Sequence, residues 1–369
     1  MKEKDTYRIM ISGGGTGGHI YPAIAIANAW MEKYPSSEIL FVGAEGKMEM
    51  QKVPEAGYKI VGLNIAGLQR KLTFDNLSFP FKVMGSLKKS WELINDFKPD
   101  AVVGVGGYAS GPVLFVAQQK GIPTLIQEQN SYAGITNKIL GKKAKSICVA
   151  YPGMEMFFPK DKIRYTGNPV RKDIISLEGK KDKAMAHFSL ASDRPVVLIL
   201  GGSLGAKTIN EAVVKCMSKI EALGYQVVWQ AGKFYIEDMF RAVNESGLQH
   251  IQVHEFIKNM DLAYAAADVV ISRAGALSVS ELSLVGKPVI FIPSPNVAED
   301  HQTKNALAYE SQRAALMIAD HVAIGSLGKA LENLINDEAE VKLLSENIKK
   351  LARPDAALDI VKELEKLVK

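Results

Sequence analysis

Two glycine-rich stretches carry the residues best placed for chemistry. Ser12-Gly13-Gly14-Gly15-Thr16-Gly17-Gly18-His19 follows an apolar run at residues 7–11, and Gly201-Gly202-Ser203-Leu204-Gly205-Ala206 follows another at 196–200. Residues without side chains let a backbone approach a ligand closely, and a helix opening after such a loop offers unpaired N–H groups and a positive dipole end. Each loop is therefore expected to hold an anion. His19 stands at the helix start, where the dipole favours the neutral imidazole; it is a candidate general base, beside the plainer reading of a histidine that only hydrogen-bonds the turn. A third helix start, Arg273-Ala274-Gly275-Ala276-Leu277-Ser278-Val279-Ser280-Glu281, adds a guanidinium. Glu281, about one helical turn in, has the reach to accept two ribose hydroxyls. Glu128, in Gln127-Glu128-Gln129-Asn130, reads first as a loop brace and second as a site acid.

Other chemistries compete for the same residues. Gly13, Gly15 and Gly18 fit the G-x-G-x-x-G spacing of a dinucleotide fold, so an NAD-dependent oxidoreductase is an alternative. That fold wants an acidic residue at the end of its second strand; Glu38 begins the strand and Glu45 lies past it. Gly205-Ala206-Lys207-Thr208 approaches a P-loop but lacks the glycine before lysine, and no strand ends in a plausible magnesium-holding aspartate. Cys148 and Cys216 lie far apart in apolar surroundings and read as buried thiols that offer no metal site.

The elements that must position these residues alternate along the chain. Apolar runs at 38–42, 101–105, 124–126, 146–149, 225–229, 251–253, 268–271, 288–292 and 315–318 are separated by helical patterns, which predicts α/β architecture with mainly parallel sheets. A length of 369 residues favours two domains. Tyr165-Thr166-Gly167-Asn168-Pro169-Val170-Arg171 supplies turn residues for a hinge between them, and residues 182–193 read as a helical lead-in to the second. Pro354 opens a terminal helix that is expected to brace the first domain. The charged start, Met1 to Asp5, argues against a secretory signal, and no apolar run reaches the roughly 18 residues that span a bilayer.

Charge is uneven. Through Val170 there are 21 basic and 14 acidic residues, a balance of +7, and the remainder carries 24 against 26, or −2. Within the basic half, residues 68–91 interleave Leu72, Phe74, Leu77, Phe79, Phe81, Val83, Met84, Leu87 and Trp91 with Arg70, Lys71, Lys82, Lys88 and Lys89. Such a mixture suits resting on an anionic membrane surface without crossing it, and core packing of a helix over 81–97 competes with that reading. Nucleic acid is disfavoured, because no recognised binding module accompanies the basic residues.

Taken in order, GGGTGGH at 13–19, GGYASGP at 106–112, EQN at 128–130, AGITNK at 133–138, GNPVR at 167–171, GGSLGA at 201–206, SRAGALSVSE at 272–281 and DHQTKNA at 300–306 resemble the MurG family, the peptidoglycan glycosyltransferases that convert lipid I to lipid II. The resemblance implies a GT-B fold, two Rossmann-like doubly wound domains facing a cleft. Residues 1–170, with 354–369 as a returning helix, would form the acceptor and membrane-facing domain; residues 171–353 would bind UDP-N-acetylglucosamine. It further implies donor contacts at Thr16, Gly17, Gly18, Asn130, Arg171, Ser203, Ile257, Ala276, Leu277, Ser278, Glu281 and Gln302. Ile257 would meet uracil through its backbone, Glu281 the ribose, Ser203 with the 276–278 turn the diphosphate, and Gln302 with Asn305 the sugar. Gln127 stands where the family usually has histidine, which excludes an imidazole role there.

The implied reaction is inverting: the muramoyl 4-hydroxyl attacks the anomeric carbon while UDP departs. His19 is the expected base, with Asp300 second, and helix N-termini with Arg273 would hold the leaving charge without metal or other cofactor. The expected partners are UDP-N-acetylglucosamine, lipid I and an anionic membrane at its cytoplasmic face, where the protein would be peripheral. A catalytically idle nucleotide-sugar scaffold is the remaining alternative.

Overall fold

Strands buried on both faces read as continuous apolar runs, and here they assemble into two fully parallel sheets. The computed structural model describes residues 6–65, 75–170, 174 and 176–369. The chain divides into two compact units, residues 1–170 with 354–369 and residues 171–353.

The first unit runs β1 (Arg8–Ser12), α1 (Gly17–Lys33), β2 (Glu38–Ala44), α2 (Glu49–Glu55), β3 (Lys59–Leu63), α3 (Asp75–Phe97), β4 (Ala101–Gly104), α4 (Ser110–Gln119), β5 (Thr124–Glu128), α5 (Ile135–Gly141), β6 (Ser146–Val149) and β7 (Ile163–Tyr165). The second runs α6 (Lys181–His187), β8 (Val196–Leu200), α7 (Lys207–Ala222), β9 (Gln226–Gln230), α8 (Ile236–Ser246), β10 (Ile251–His254), α9 (Met260–Ala266), β11 (Val269–Ser272), α10 (Ala276–Val285), β12 (Val289–Phe291), α11 (His301–Glu310), β13 (Leu316–Met317), α12 (Asp320–Ile335) and α13 (Glu338–Lys350). The last helix, α14 (Ala356–Val368), belongs to the first unit.

The period-2 geometry of β1 sends Ile9 and Ile11 to one face, where they meet Ile26 and Trp30 of α1 and Ile360 and Leu364 of α14. Met10 goes to the other face, with Ile94 of α3 and Leu114 of α4. Glu365 pins α14 by accepting from Tyr34 Oη at 2.6 Å and pairing with Lys33 at 2.5 Å. In the second unit, Val197, Ile199 and Trp229 pack against Ile209 and Val213 of α7 and Leu327 and Leu331 of α12.

The sheet orders are β3-β2-β1-β4-β5-β6-β7 and β10-β9-β8-β11-β12-β13. In each, the chain winds outward one way and then the other, so the topological switch lies between β1 and β4 and between β8 and β11. Because all strands are parallel, their following loops share one edge, the place where open α/β sheets bind ligands.

Two strands lie outside the runs expected from the sequence. β3 and β7 are the edges of the first sheet, and β7 has a single aliphatic residue, Ile163. The helical lead-in is also shorter than residues 182–193, because the Gln226 amide captures the chain beyond α6: it accepts from Ala191 N–H at 3.0 Å and donates to the Ala191 and Arg194 carbonyls. No described helix is long and apolar enough to cross a membrane. Burial pushes the free Cys148 thiol up to about 12 and the free Cys216 thiol up to about 11.

Candidate functional site

At the switch point of the first unit, the loops after β1 and β4 pack backbone against backbone. A Cβ on Gly107 would stand 2.3 Å from the Gly14 carbonyl and one on Gly13 would stand 2.6 Å from the Gly106 carbonyl, so both turns need glycine, and Gly107 has φ +84°. The N–H groups of Gly13, Gly14 and Gly15 do not face outward as the anion reading expects. They donate to the Val42 carbonyl, the Gly106 carbonyl and Glu49 Oε2 at 3.2, 3.3 and 2.9 Å. Helix geometry leaves the first-turn N–H groups of α1, at Gly17 and Gly18, without intrahelical partners. Thr16 is the N-cap of α1 and makes no side-chain cap; its Oγ1 lies 3.2 Å from His19 Nδ1.

His19 lies over Gly106, where an added Cβ would stand 2.9 Å from its ring, and Asn137 approaches the same glycine. Asn137 Nδ2 donates to Glu128 Oε2 at 2.8 Å, and Glu128 also accepts from Gly134 N–H and Asn130 N–H, each at 3.1 Å. Burial pushes the Glu128 carboxyl above its ordinary value, against the pull of those hydrogen bonds. Glu128 thus braces the loop that presents Asn130. Gln127, in place of a histidine, is buried and donates to Asn168 Oδ1 at 2.8 Å; Asn168 in turn donates to the Gln129 carbonyl at 3.0 Å.

In the second unit the expected donor residues follow successive strands along one edge. Ser203 is exposed in the loop after β8, a turn whose Gly205 would strike the Ala231 carbonyl if it carried a Cβ. Ala276, Leu277 and Ser278 form the first turn of α10, which follows Gly275 in extended conformation. Glu281 is held by Tyr264 Oη, which donates to its Oε2 at 3.0 Å. Gln302 Oε1 accepts from Ser294 N–H at 2.9 Å. Ile257 is buried after β10, beside a cavity of about 530 Å³ that also meets His187, Phe188, His254 and Phe256. Arg171 lies outside the described residues.

Three of the expected residues also hold neighbouring loops. Asn305, expected at the sugar, is fully buried and donates from Nδ2 to the Ala274 carbonyl at 3.2 Å, so it shapes the turn before α10. Arg273 commits its Nη1 to the Ile292 and Pro293 carbonyls at 2.9 and 3.2 Å and to Asp320 at 2.5 Å, a brace between strand ends. Asp300 is the left-handed N-cap residue of α11, with φ +53°, and accepts from Thr303 Oγ1 at 2.7 Å. Glu45, the acidic residue of the dinucleotide alternative, pairs with Lys89 at 3.4 Å. Among the described residues, no group of three or more His, Cys, Asp or Glu is arranged to hold a metal ion.

On α3, Phe81, Met84 and Trp91 are exposed at i, i+3 and i+10, while Leu87, Leu93, Ile94 and Phe97 of the same helix pack on the core. The helix therefore has two apolar faces, and Lys120 Nζ sits 3.8 Å above the Trp91 ring. Leu68, Arg70, Lys71, Leu72 and Phe74 lie outside the described residues, as do the side chains of Leu77 and Phe79.

Sequence reasoning missed Glu49, Tyr264, Gln230 and Asp320. Glu49 had a signal: it is a carboxylate between Met48 and Met50, just after a buried strand.

Known proteins resemble the chain over its whole length. Residues 9–149 match the glycosyltransferase family 28 N-terminal domain and residues 196–362 its C-terminal domain. The UDP-N-acetylglucosamine--N-acetylmuramyl-(pentapeptide) pyrophosphoryl-undecaprenol N-acetylglucosamine transferase of Flavobacterium psychrophilum is 56% identical, over 99% of this chain and 98% of that protein. The protein of the same name from Bacteroides thetaiotaomicron is 54% identical, over 98% and 97%. The crystal structure of Acinetobacter baumannii MurG superposes with a TM-score of 0.80 at 29% identity, over 98% of this chain and 99% of that one.

Proposed function

We propose, for a chain that belongs to the MurG family of N-acetylglucosamine transferases, that its two units divide one reaction: residues 171–353 hold the donor, and residues 1–170 with 354–369 take the acceptor. The reaction is transfer of N-acetylglucosamine from UDP-N-acetylglucosamine to lipid I, which gives lipid II for peptidoglycan. The observation that carries the donor assignment is the placement of Ser203, Ile257, the start of α10, Glu281 and Gln302 after β8, β10, β11 and β12 of one parallel sheet.

In this reading Glu281, oriented by Tyr264, accepts the ribose hydroxyls, and the N-termini of α7 and α10 hold the diphosphate. The acceptor's 4-hydroxyl oxygen forms a bond to the anomeric carbon as the bond to the UDP oxygen breaks, inverting the α-linked donor to a β-linked product. The hydroxyl proton passes to His19. With Nδ1–H donating to Thr16 Oγ1, 3.2 Å away, the unprotonated Nε2 receives it. Phe81, Met84 and Trp91, with Lys82, Lys88 and Lys89 on the same helix, rest on an anionic membrane surface, and the protein works there as a peripheral one at the cytoplasmic face.

The test is transfer of labelled N-acetylglucosamine from its UDP donor to a lipid I analogue, run with and without EDTA. Transfer that persists in EDTA is expected, since backbone N–H groups carry the leaving charge. Loss with EDTA and recovery with magnesium would overturn that part of the scheme, and UDP binding without any transfer would leave a scaffold.

A further inference from the structure

The first glycine loop rests on a buried carboxylate. Glu49 opens α2, is 1% exposed, and accepts from Ala44 N–H at 3.0 Å through Oε1 and from Gly15 N–H at 2.9 Å through Oε2. Two glycines make room for it: a Cβ on Gly14 would stand 2.2 Å from Oε1, and one on Gly43 would stand 2.5 Å from Cγ. Gly14 and Gly15 have φ of +149° and +89°, so the turn takes a path that depends on glycine as well as on the carboxylate. Among the described residues no lysine or arginine forms a salt bridge with Glu49. Burying a carboxylate without a cation is costly, and an apolar side chain would fill the space more cheaply.

We propose that Glu49 is a positioning residue for the transfer reaction. By taking the Gly15 N–H it fixes the turn from which Thr16, Gly17, Gly18 and His19 depart. The carboxylate thereby holds the imidazole in line for the acceptor hydroxyl. The inference rests on His19 as the base, and it reaches His19 only through the backbone.

Glu49→Gln tests it, because the amide keeps the shape but sets a donor NH₂ against one of the two N–H groups. Hydrogen exchange at Gly15, UDP affinity and steady-state kinetics are measured on the full chain, alone and combined with His19→Ala. Expected are faster exchange at Gly15 with β1 still protected, unchanged UDP affinity, and a fall in kcat per UDP-binding site of about tenfold or more. In the double variant the losses should not multiply, since both act on one proton transfer. A kcat within about twofold of wild type, or losses that multiply, would overturn the proposal. Wild-type turnover in His19→Ala alone would instead remove the base assignment. Should Glu49→Gln fail to fold, Glu49→Asp, which keeps both acceptors one methylene short, is read the same way.

Discussion

The backbone N–H of Ile257 donates to Oε1 of Gln230 across 2.9 Å, tying the loop after β10 to the last residue of β9. A base that meets Ile257 through its backbone therefore finds the N–H engaged and the carbonyl available. The amide of Gln230 sets where that carbonyl points. Removing it by Gln230→Ala forfeits a hydrogen bond worth about 1 kcal/mol, close to fivefold in binding. Calorimetry should show UDP binding weakened by about that factor, with kcat at saturating donor nearly unchanged. Tighter binding would mean that the base competes with Gln230 for the same N–H.

His19 and Thr16 make a graded pair. His19→Ala should lower kcat by about 10² to 10⁴, the usual contribution of a general base, and leave UDP affinity alone. Thr16→Val keeps the shape of the N-cap but removes the hydroxyl 3.2 Å from Nδ1, so kcat should fall by a smaller factor, about tenfold. Steady-state kinetics at saturating donor measures both. A Thr16→Val loss as large as that of His19→Ala would show that the hydroxyl does more than orient the ring.

Much of this arrangement is legible in the chain because buried parallel strands are continuous apolar runs and the glycines of 13–15, 106–107 and 201–205 sit at strand exits. What the pattern hides is reciprocity. Nothing near Gly15 announces that its N–H is claimed by Glu49, 34 residues on, since a hydrogen bond between distant segments leaves no local periodicity. Arg273 reads as an anion ligand for the same reason: its partners, the 292 and 293 carbonyls and Asp320, come from other loops. Asn305 is polar and lies in a motif, yet nothing local shows that its side chain is buried against the Ala274 carbonyl. The edge strand β7 is hidden because its outer position asks for few apolar residues, while β3, with Ile60, Val61 and Leu63, is a short apolar run like the others.

The outer face of α3 predicts a measurable membrane affinity. Phe81, Met84 and Trp91 are 77%, 68% and 47% exposed, and fully burying such a side chain is worth roughly 1.5–3 kcal/mol. Replacing all three by serine should weaken binding to anionic vesicles by at least about tenfold, while transfer to a short-chain, water-soluble acceptor is retained. Cosedimentation reads the first effect and the transfer assay the second. Unchanged cosedimentation would assign the face to some other contact.

The cavity beside Ile257 should make the second unit acid-sensitive. Burial pushes the His254 imidazole below the ordinary histidine value, and His187 acts in the same direction. The Phe188 ring meets both imidazoles edge to face, and His254 Nε2 is enclosed without a hydrogen-bond partner among the described residues. An unfolded histidine titrates near pH 6.5. Between that value and the lower folded one, the unfolded chain binds more protons than the folded chain, so protonation favours unfolding. The stabilisation from a neutral His254 is fully present above about pH 7 and is lost as the pH falls through that window. His254→Phe fills the same space without a titrating group. Urea unfolding of wild type and variant across about pH 5 to 8 should give a stability difference that shifts in favour of the variant as the pH drops. Parallel curves for the two proteins would place the acid sensitivity at another group.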